Sequence, residues 1–377
     1  MKSASSIVAI CIGAVALASP QGLVGEGEGP AKQFNGWDQN GDGQLVKNEL
    51  PPALQKNFTR VDGNGDGFIS IDEHLAVKRK SRNPSQIEGV RNLSDLSYAA
   101  NENPRQKLDL YLPDSHSAEE KALPVVCWIH GGGWRNGEKT NGQRIAGLAA
   151  SGKYAGVSIG YRLTGEAQWP AQIHDCKAAI RWIRSHAEEY GLDSERIAVW
   201  GSSAGGHLVA MLGVAGVEEG LEGDVGSDTE LSSAVTCVVD FYGPTDLLRM
   251  NEQGSTMDHD ATDSPESLLI GGAIQDHPGK AQGASPISYV SDRAATSIAP
   301  MLVVHGTEDP LVPYQQSVDF HEALVEAGVS SALVSVAGAG HGKGFGPKVQ
   351  AIVLKYLAQQ LLSEDGETVD QSLRAGE

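Results

Sequence analysis

The chain has 377 residues, of which 40% are hydrophobic and 20% charged, and its 29 Lys and Arg against 48 Asp and Glu give a formal net charge of −19. This composition is typical of a soluble globular protein with about two domains, and it excludes collagen-like, coiled-coil and wholly disordered chains. The acidic balance excludes a broad basic surface for nucleic acid and is compatible with cation binding.

The N-terminus has the pattern of an export signal. Lys2 is followed by an apolar run over residues 7–18, and Ala16-Leu17-Ala18 matches a cleavage box. The run is too short to span a bilayer, which needs about 20 residues. A lipoprotein is disfavoured because Cys11 lies inside the run. We therefore predict a signal peptide over residues 1–18 and a secreted or periplasmic protein without a stable membrane anchor.

Cleavage of this signal would leave three cysteines, Cys127, Cys176 and Cys237. Two of them sit in apolar runs that are typical of buried strands, so we expect small buried hydrophobic residues rather than nucleophiles. A disulfide framework is excluded, whereas one disulfide with one free thiol remains open.

An internal repeat spans residues 34–76. The Gly/Glu-rich segment before it, over residues 19–33, is expected to be flexible. The pattern Phe-x-x-apolar-Asp begins at Phe34 and again 24 residues later at Phe58. Each copy leads into a loop with oxygen side chains at positions 1, 3 and 5, glycine at 6 and glutamate at 12, an arrangement that suits Ca²⁺. The predicted ligands, which include position 7 of each loop, are Asp38, Asn40, Asp42, Gln44 and Glu49, then Asp62, Asn64, Asp66, Phe68 and Glu73.

These tandem loops resemble an EF-hand pair, which implies two structural calcium sites in a small α-helical module. Leu45 and Ile69, at position 8 of each loop, are expected to pair with each other. Gly36 leaves little room for a regular first helix, and Pro51-Pro52 interrupts the segment between the loops. The first repeat therefore departs from the helix–loop–helix pattern of that family. The alternative is a pair of Asp/Asn/Gly turns that bind no metal.

A linker over residues 77–92 leads into a longer region, 93–363, in which short apolar runs alternate with amphipathic patterns. Such alternation predicts βαβ units and a mostly parallel sheet flanked by helices. An insertion over about 244–299 is loop-rich and is expected to form a lid, and an acidic tail over 364–377 is expected to be disordered. Strands are predicted over residues 124–130, 154–161, 196–200, 234–241, 300–305 and 331–337, and helices over 171–190, 204–214, 315–327 and 347–362.

Two glycine-rich motifs in this region indicate nucleophilic catalysis. Gly201-Ser202-Ser203-Ala204-Gly205 lies between an apolar strand and a helix, which is the context of a nucleophile elbow and predicts Ser203 as the nucleophile. Upstream, a predicted strand ends in His130-Gly131-Gly132-Gly133-Trp134. Bare glycine amides can approach a reacting carbonyl without obstruction, so the predicted oxyanion hole consists of the amides of Gly132, Gly133 and Ala204.

The remaining catalytic partners follow in the order acid, then histidine, that hydrolases with this elbow use. His341, in a glycine-flanked loop, is the predicted base that takes the proton of Ser203, and His305 is its alternative. Asp309, which follows the strand over 300–305, is the predicted acid that fixes the tautomer of His341. Other candidates for the acid are the neighbouring Glu308 and, less favoured, Asp240 and Asp246.

Residues from about 93 to 362 resemble an α/β-hydrolase esterase of the group related to hormone-sensitive lipase, which carries the His-Gly-Gly-Gly-Trp type of oxyanion motif. Four segments are similar, more closely, to its feruloyl-esterase-like branch: residues 160–163, 169–177, 240–247 and 305–313. The resemblance implies ester hydrolysis through an acyl-serine intermediate, without a catalytic cofactor. It implies short acyl esters, acetylated or feruloylated polysaccharides, or aryl-formamides as substrates.

The sequence thus predicts a secreted serine carboxylesterase that acts on small-molecule or polysaccharide-linked esters and carries structural Ca²⁺. Two other functions remain open. One is a related serine hydrolase that cleaves amides, such as an arylformamidase or a peptidase. The other is a calcium-dependent binding protein whose hydrolase fold is inert.

Overall fold

The structure is a computed structural model that describes residues 34, 36–38, 42–52, 54–62, 66–71, 73–74, 87–215, 219–290 and 295–377. The predicted signal peptide and two predicted calcium ligands, Asn40 and Asn64, lie outside these residues. The chain divides into two compact units, one ending at Arg82 and one beginning at Asn83. This boundary falls within the segment predicted as a linker.

The first unit contains a two-stranded antiparallel sheet formed by β1 (Gln44–Leu45) and β2 (Ile69–Ser70). Leu45 lies opposite Ile69, which confirms the predicted pairing of the two loops at position 8. Both side chains are buried and form a small core with Phe34 and Leu50. A 3₁₀ helix over Gln55–Asn57 leads into the short helix α1 (Phe58–Val61).

The second unit is built on a nine-stranded sheet. Its order across the sheet is β11-β10-β9-β8-β7-β5-β6-β4-β3, and all neighbours are parallel except β3 with β4 and β4 with β6. The strands are β3 (Val90–Ser97), β4 (Lys107–Pro113), β5 (Leu123–Ile129), β6 (Ala155–Ile159), β7 (Leu192–Ser202), β8 (Cys237–Phe241), β9 (Met301–Gly306), β10 (Ser331–Ala337) and β11 (Gln371–Arg374).

Helices cover both faces of this sheet, which is why its central strands are apolar along their whole length. The helices are α2 (Gln143–Ala149), α3 (Ala171–Ser185), α4 (Ala187–Tyr190), α5 (Ala204–Val214), α6 (Pro265–Ile270), α7 (Pro278–Gly283), α8 (Tyr314–Glu326) and α9 (Pro347–Leu362). In β5, Cys127 and Ile129 join the hydrophobic cluster that includes α3 and α5, whereas Val126 and Trp128 join the cluster that includes α2 and α9. Among the helices that the structure describes, none is long and apolar enough to cross a bilayer.

The predicted alternation of strands and helices is confirmed, with the bounds of α5, α9 and β10 as expected. The segment predicted as one helix over 171–190 divides at His186 into α3 and α4. The expectation of a disordered tail is wrong, because β11 pairs in parallel with β10 and extends the sheet. Cys127, Cys176 and Cys237 are buried and form no disulfide with one another, which excludes the single disulfide that the sequence had left open.

The lid insertion is more regular than its loop-rich sequence indicates. Between Pro244 and Ala299 it holds α6, α7 and three 3₁₀ turns, which are Ile274–Asp276, Pro286–Tyr289 and Ala295–Ser297. Ser264 caps α6 by accepting a hydrogen bond from the amide of Ser267, and proline occupies the first turn of α6 and α7.

Candidate active site

Ser203 lies at the turn between β7 and α5 in a strained backbone conformation, with φ 55° and ψ −124°. The flanking glycines are required by the close approach of backbone atoms. A Cβ at Gly201 would lie 2.2 Å from the carbonyl oxygen of Gly205, and one at Gly205 would lie 2.1 Å from that of Ile129. The turn therefore packs directly on the end of β5 and holds Ser203 at the carboxyl edge of the sheet.

Three loops from the same edge bring a serine, a histidine and a carboxylate into line. His341 follows β10, and its Nε2 lies 3.0 Å from Oγ of Ser203. Asp309 follows β9, and its Oδ2 lies 2.7 Å from Nδ1 of His341. The other carboxylate oxygen of Asp309 accepts hydrogen bonds from the amides of Leu311 and Val312 at 2.9 and 3.0 Å. This geometry suits proton transfer from the hydroxyl to an imidazole whose tautomer is fixed by the carboxylate.

The environment of Asp309 keeps its carboxylate charged. Burial alone would raise its pKa, but hydrogen bonds from His305 and His341 outweigh this effect and hold the pKa below its usual value. Nε2 of His305 lies 3.4 Å from Oδ2 of Asp309. An ionised Asp309 favours the imidazolium that would form on His341 during proton transfer.

The alternative candidates have other contacts. His305 is buried, with Nδ1 2.7 Å from Oγ of Ser317 and Nε2 3.0 Å from the carbonyl of Val312. Asp240 is fully buried on β8, accepts a hydrogen bond from the amide of Gly243, and burial raises its pKa to about 7. Glu308 is exposed, and Asp246 accepts a hydrogen bond from the amide of Leu248. Of the four candidate acids, Asp309 is the carboxylate that contacts His341.

The loop after β5 lies against the nucleophile turn. A Cβ at Gly131 would lie 2.6 Å from the carbonyl oxygen of Ser202 and 3.2 Å from Cβ of Ser203. Gly132 and Gly133 have φ of 121° and 58°, and a Cβ at Gly132 would lie 2.2 Å from the carbonyl oxygen of Asn136. Only glycine suits these positions.

The amides predicted to form the oxyanion hole are available to a ligand. Those of Gly132 and Gly133 donate to no carbonyl among the described residues. Ala204 is the first residue of α5, where an amide has no partner within the helix. The arrangement can therefore stabilise negative charge that develops beside Ser203.

Three buried side chains that support the site, Trp134, His207 and Tyr242, have no clear signal in the sequence. The indole Nε1 of Trp134 donates to Nδ1 of His207 at 3.2 Å, and Nε2 of His207 donates to the carbonyl of Ala284 at 2.6 Å. Burial lowers the pKa of His207 to about 4, so the ring is neutral at pH 7. The ring of Tyr242, at φ 44°, lies 4.7 Å from that of His341. These contacts join distant segments, and their residue types in sequence are equally typical of core packing.

The loops predicted to bind calcium have carboxylates that hydrogen-bond to their own backbone. In the first loop, Oδ2 of Asp38 accepts from the amide of Gly43 at 2.9 Å, and Oδ1 of Asp42 accepts from that of Gln44 at 2.8 Å. Glu49 accepts from the amide of Val46 at 2.9 Å. Gly43 has φ 77°, as a sharp turn at position 6 requires.

The second loop repeats this arrangement. Asp62 accepts from the amides of Asp66 and Gly67, Asp66 accepts from that of Phe68, and Glu73 accepts from that of Ser70. In the described part of the chain, no three His, Cys, Asp or Glu side chains gather closely enough to hold a metal ion.

A mostly parallel sheet flanked by helices, with a serine at a strand-to-helix turn and a histidine and an aspartate on later loops, is the architecture of an α/β-hydrolase. A family model described as BD-FAE matches residues 108–324, more than half of the chain, and the chain belongs to that family. A second model, of TAP-like proteins, matches residues 280–369.

Known proteins agree with this membership. Esterase LipC from Mycobacterium tuberculosis is 33% identical over 264 residues, which are 67% of this chain and 62% of LipC. A structure titled as a truncated carbohydrate esterase from gut microbiota is 30% identical with a TM-score of 0.65, over 72% of this chain and 96% of that one. A bifunctional GH43-CE protein from Bacteroides eggerthii is 34% identical with a TM-score of 0.66, over 72% of this chain and 35% of that one. The chain spans less than two thirds of the length of the first curated relatives, 62% of LipC and 48% of esterase LipQ.

Proposed function

We propose that this protein is a serine carboxylesterase that hydrolyses carboxylic esters through an acyl-enzyme. The observation that carries the proposal is the hydrogen-bonded line from Ser203 through His341 to Asp309, with separations of 3.0 and 2.7 Å. Membership of the BD-FAE family and the esterase names of similar proteins support an ester rather than an amide as substrate.

In the proposed reaction, Oγ of Ser203 attacks the ester carbonyl while Nε2 of His341 takes its proton. Amides of Gly132, Gly133 and Ala204 stabilise the oxyanion, and Asp309 stabilises the imidazolium. His341 then gives the proton to the leaving alcohol, and the acyl group remains on Ser203. A water molecule repeats the sequence and releases the acid. The substrates we propose are short acyl esters, or acetyl and feruloyl esters on polysaccharide.

Release of p-nitrophenol from its acetate and butyrate esters tests this proposal. We expect Ser203→Ala to lower kcat by several orders of magnitude, since a triad serine has no substitute. Ser202→Ala, one residue earlier on β7, is the matched control and should retain most of the activity. Equal turnover in the wild type and Ser203→Ala would show that another residue is the nucleophile. Absence of turnover in the wild type would favour amide substrates or an inert fold.

We also propose that the first unit binds two Ca²⁺ ions that stabilise it without entering the reaction. The repeated oxygen ligands, the glycines at φ 77° and 87° at position 6, and the pairing of Leu45 with Ile69 support this. Carboxylate and carbonyl oxygens are the ligands that Ca²⁺ prefers, and modules of this kind bind with dissociation constants on the order of 10⁻⁴–10⁻³ M.

Calorimetric titration of the full chain with Ca²⁺ tests the site. Glu49→Gln and Glu73→Gln, which each remove a position-12 carboxylate, should abolish most of the binding heat, whereas Glu88→Gln, an exposed change outside the loops, should not. Chelation should leave ester turnover unchanged. Loss of turnover while the second unit stays folded would contradict the structural role.

Export remains a separate proposal, supported by the pattern of residues 1–18. Expression of the full chain should yield an extracytoplasmic product whose N-terminal residue is Ser19. A product that stays in the cytoplasm with Met1 or Lys2 at its N-terminus would contradict it.

A further inference from the structure

We propose that residues 255–259 of the lid insertion hold Asp309 in position for catalysis, and that His259 is a positioning residue that does so in its protonated form. This inference rests on the proposed esterase function and adds a residue that acts on the same reaction through Asp309. The side chains of His259 and of its ion-pair partner Glu266 are only 3% and 4% exposed. The contacts that carry the inference run from the lid insertion to the backbone of the loop after β9.

Two peptide units of the loop after β9 hold the carboxylate of Asp309. The amides of Leu311 and Val312 both donate to its Oδ1, at 2.9 and 3.0 Å. Each amide belongs to a planar peptide unit whose other end is the carbonyl of the preceding residue, Pro310 or Leu311. The direction of each amide is therefore fixed once the carbonyl of its peptide unit is fixed.

The lid insertion contacts both of these carbonyls. That of Pro310 accepts from the amide of Thr256 at 2.9 Å and from its hydroxyl at 2.6 Å. That of Leu311 accepts from the hydroxyl of Ser255 at 2.8 Å and lies 3.0 Å from Nε2 of His259. A donor at the carbonyl also polarises the peptide unit, which strengthens the hydrogen bond that its amide donates to the carboxylate.

The contacts of the His259 ring favour a proton on each nitrogen. Nδ1 lies 2.9 Å from Oε2 of Glu266 and Nε2 faces the carbonyl of Leu311, so both nitrogens face atoms that accept hydrogen bonds. Without its proton, Nε2 would turn a lone pair towards that carbonyl. The hydroxyl of Ser255, 2.8 Å from Nε2, would then donate to the ring instead of to Leu311. Loss of one proton therefore removes both donors from the carbonyl of Leu311.

The charges around His259 favour the same form. The titratable groups that act on the ring are Glu266 on α6 and, on its own loop, Asp258 and Asp260, whereas the loop after β9 faces it with a carbonyl. Burial lowers the pKa of the imidazole, but the carboxylate of Glu266 outweighs burial, and the pKa is raised above its ordinary value. The protonated ring thus holds the Asp309 loop at low pH, and this contact is lost as the pH rises through the raised pKa.

The pH profile of kcat for p-nitrophenyl acetate tests this role, because a merely structural contact would not titrate. We expect kcat of the wild type to fall about 10-fold at alkaline pH, the effect of one charge-assisted hydrogen bond, with little change in KM. Glu266→Gln removes the carboxylate that raises the pKa of His259, so the fall should move to lower pH. In the His259→Gln/Glu266→Gln double variant, an amide that does not titrate replaces the imidazole, and the fall should disappear.

His277→Gln, which changes an exposed histidine of the same insertion, is the matched control and should leave the fall at the same pH as in the wild type. Ser255→Ala is a smaller change that keeps the ion pair and removes the hydroxyl donor to Leu311. It should lower kcat about 3-fold at low pH, where the wild type is most active. Circular dichroism at each pH verifies that every variant stays folded.

Two results would overturn the role of His259. One is a wild type without an alkaline fall in kcat, and the other is a fall that keeps its midpoint in Glu266→Gln and persists in the double variant. Unchanged kcat in Ser255→Ala would contradict the role of the carbonyl of Leu311. Absence of ester turnover in the wild type at every pH would instead contradict the proposed function.

Discussion

At the scale of the residue, the site is built around three side chains whose backbones are strained. Trp134, Ser203 and Tyr242 have φ of 55°, 55° and 44°, and they follow β5, β7 and β8, which are neighbours in the sheet. Non-glycine residues in this region cost about 1–3 kcal/mol each. Backbone hydrogen bonds across the sheet hold two of them, from Ser203 to Phe241 and from Tyr242 to Val304, both 2.9 Å. Three of the six non-glycine residues with positive φ in the described part of the chain thus lie at the edge of the sheet that carries Ser203.

The charge of Asp309 gives the first prediction. Asp309→Asn keeps the size of the side chain but removes the acceptor that fixes the tautomer of His341, so kcat should fall about 10⁴-fold. Steady-state hydrolysis of p-nitrophenyl acetate measures this loss, and Asp114→Asn, an exposed change after β4, should have little effect. Near-normal activity in Asp309→Asn together with a large loss in Asp240→Asn would show that Asp240 on β8, rather than Asp309, is the catalytic acid.

At the scale of the element, one buried histidine joins three segments that have to keep their relative positions. His207 on α5 accepts from Trp134 in the oxyanion loop and donates to Ala284 in the lid insertion. Its ring also makes edge contacts with those of Trp134 and Trp169, at 5.1 and 5.4 Å. The nucleophile helix, the oxyanion loop and the lid are therefore connected through a single imidazole.

Removal of the indole donor should disturb the oxyanion loop without removing any reacting group. In Trp134→Phe we expect kcat for p-nitrophenyl acetate to fall about 10-fold, the effect of an unpaired buried acceptor next to the oxyanion amides, with little change in KM. His207→Phe should give a similar loss, and the double variant should lose little more than either single one. Independent, additive losses would show that the two side chains act separately.

The lid insertion is also attached to the loop that carries Asp309. The amide of Thr256 donates to the carbonyl of Pro310 at 2.9 Å, and Nε2 of His259 lies 3.0 Å from that of Leu311. Nδ1 of His259 forms a buried ion pair with Glu266 of α6 at 2.9 Å. Burial lowers the pKa of His259, but the carboxylate of Glu266 outweighs it, and the pKa is raised.

This ion pair predicts a pH-dependent contribution to stability. Because the pKa of His259 is higher in the folded than in the unfolded state, the ion pair contributes fully to stability below the unfolded-state pKa, about 6.5. This contribution to stability is lost as the pH rises through the folded-state pKa. The wild type should therefore exceed the His259→Gln/Glu266→Gln double variant in Tm by more at about pH 6 than at about pH 9. A difference that stays constant or grows over this range would contradict the prediction.

At the scale of the whole second unit, the C-terminal tail completes the sheet and reaches the histidine loop. β11 pairs with β10, and the carboxylate of Asp370 accepts from the amide of Leu333 at 2.8 Å. The amide of Gly376 donates to the carbonyl of Gly344, three residues after His341, also at 2.8 Å. The acidic composition of this segment is thus compatible with an ordered edge strand.

Removal of residues 364–377 should lower stability and activity together. Without β11 the long strand β10 becomes an exposed edge, so we expect Tm to fall by about 4 °C or more, the shift for roughly 2 kcal/mol in a domain of this size. We also expect a lower kcat, because Gly344 loses its partner. Thermal denaturation and ester hydrolysis measure both effects. Val369→Ser, an exposed change within the tail, is the control; a truncated chain with unchanged Tm would contradict the role of β11.

Local patterns were sufficient to predict α5, α9 and β10 to the residue, because apolar periodicity and helix breakers act over a few neighbouring positions. The same holds for the glycines around Ser203 and His341, which were enough to propose these two residues, and the structure places their side chains 3.0 Å apart. The pairing of Leu45 with Ile69 could also be predicted, since the loop pattern places both residues at position 8 of their loops. In these cases the physical requirement is contained within one short segment.

Tertiary structure decided the features that depend on distant segments. Asp309 and Glu308 are adjacent in sequence, and only the packing of the β9 and β10 loops directs the former to His341 and leaves the latter exposed. β11 could not be predicted from the sequence, because this acidic segment is ordered by its hydrogen bonds to β10 and not by its own composition. The contact of Trp134 with His207 spans 73 positions and requires the sheet to bring β5 and β7 together. Interactions of this kind are set by strand order, which a single sequence does not encode locally.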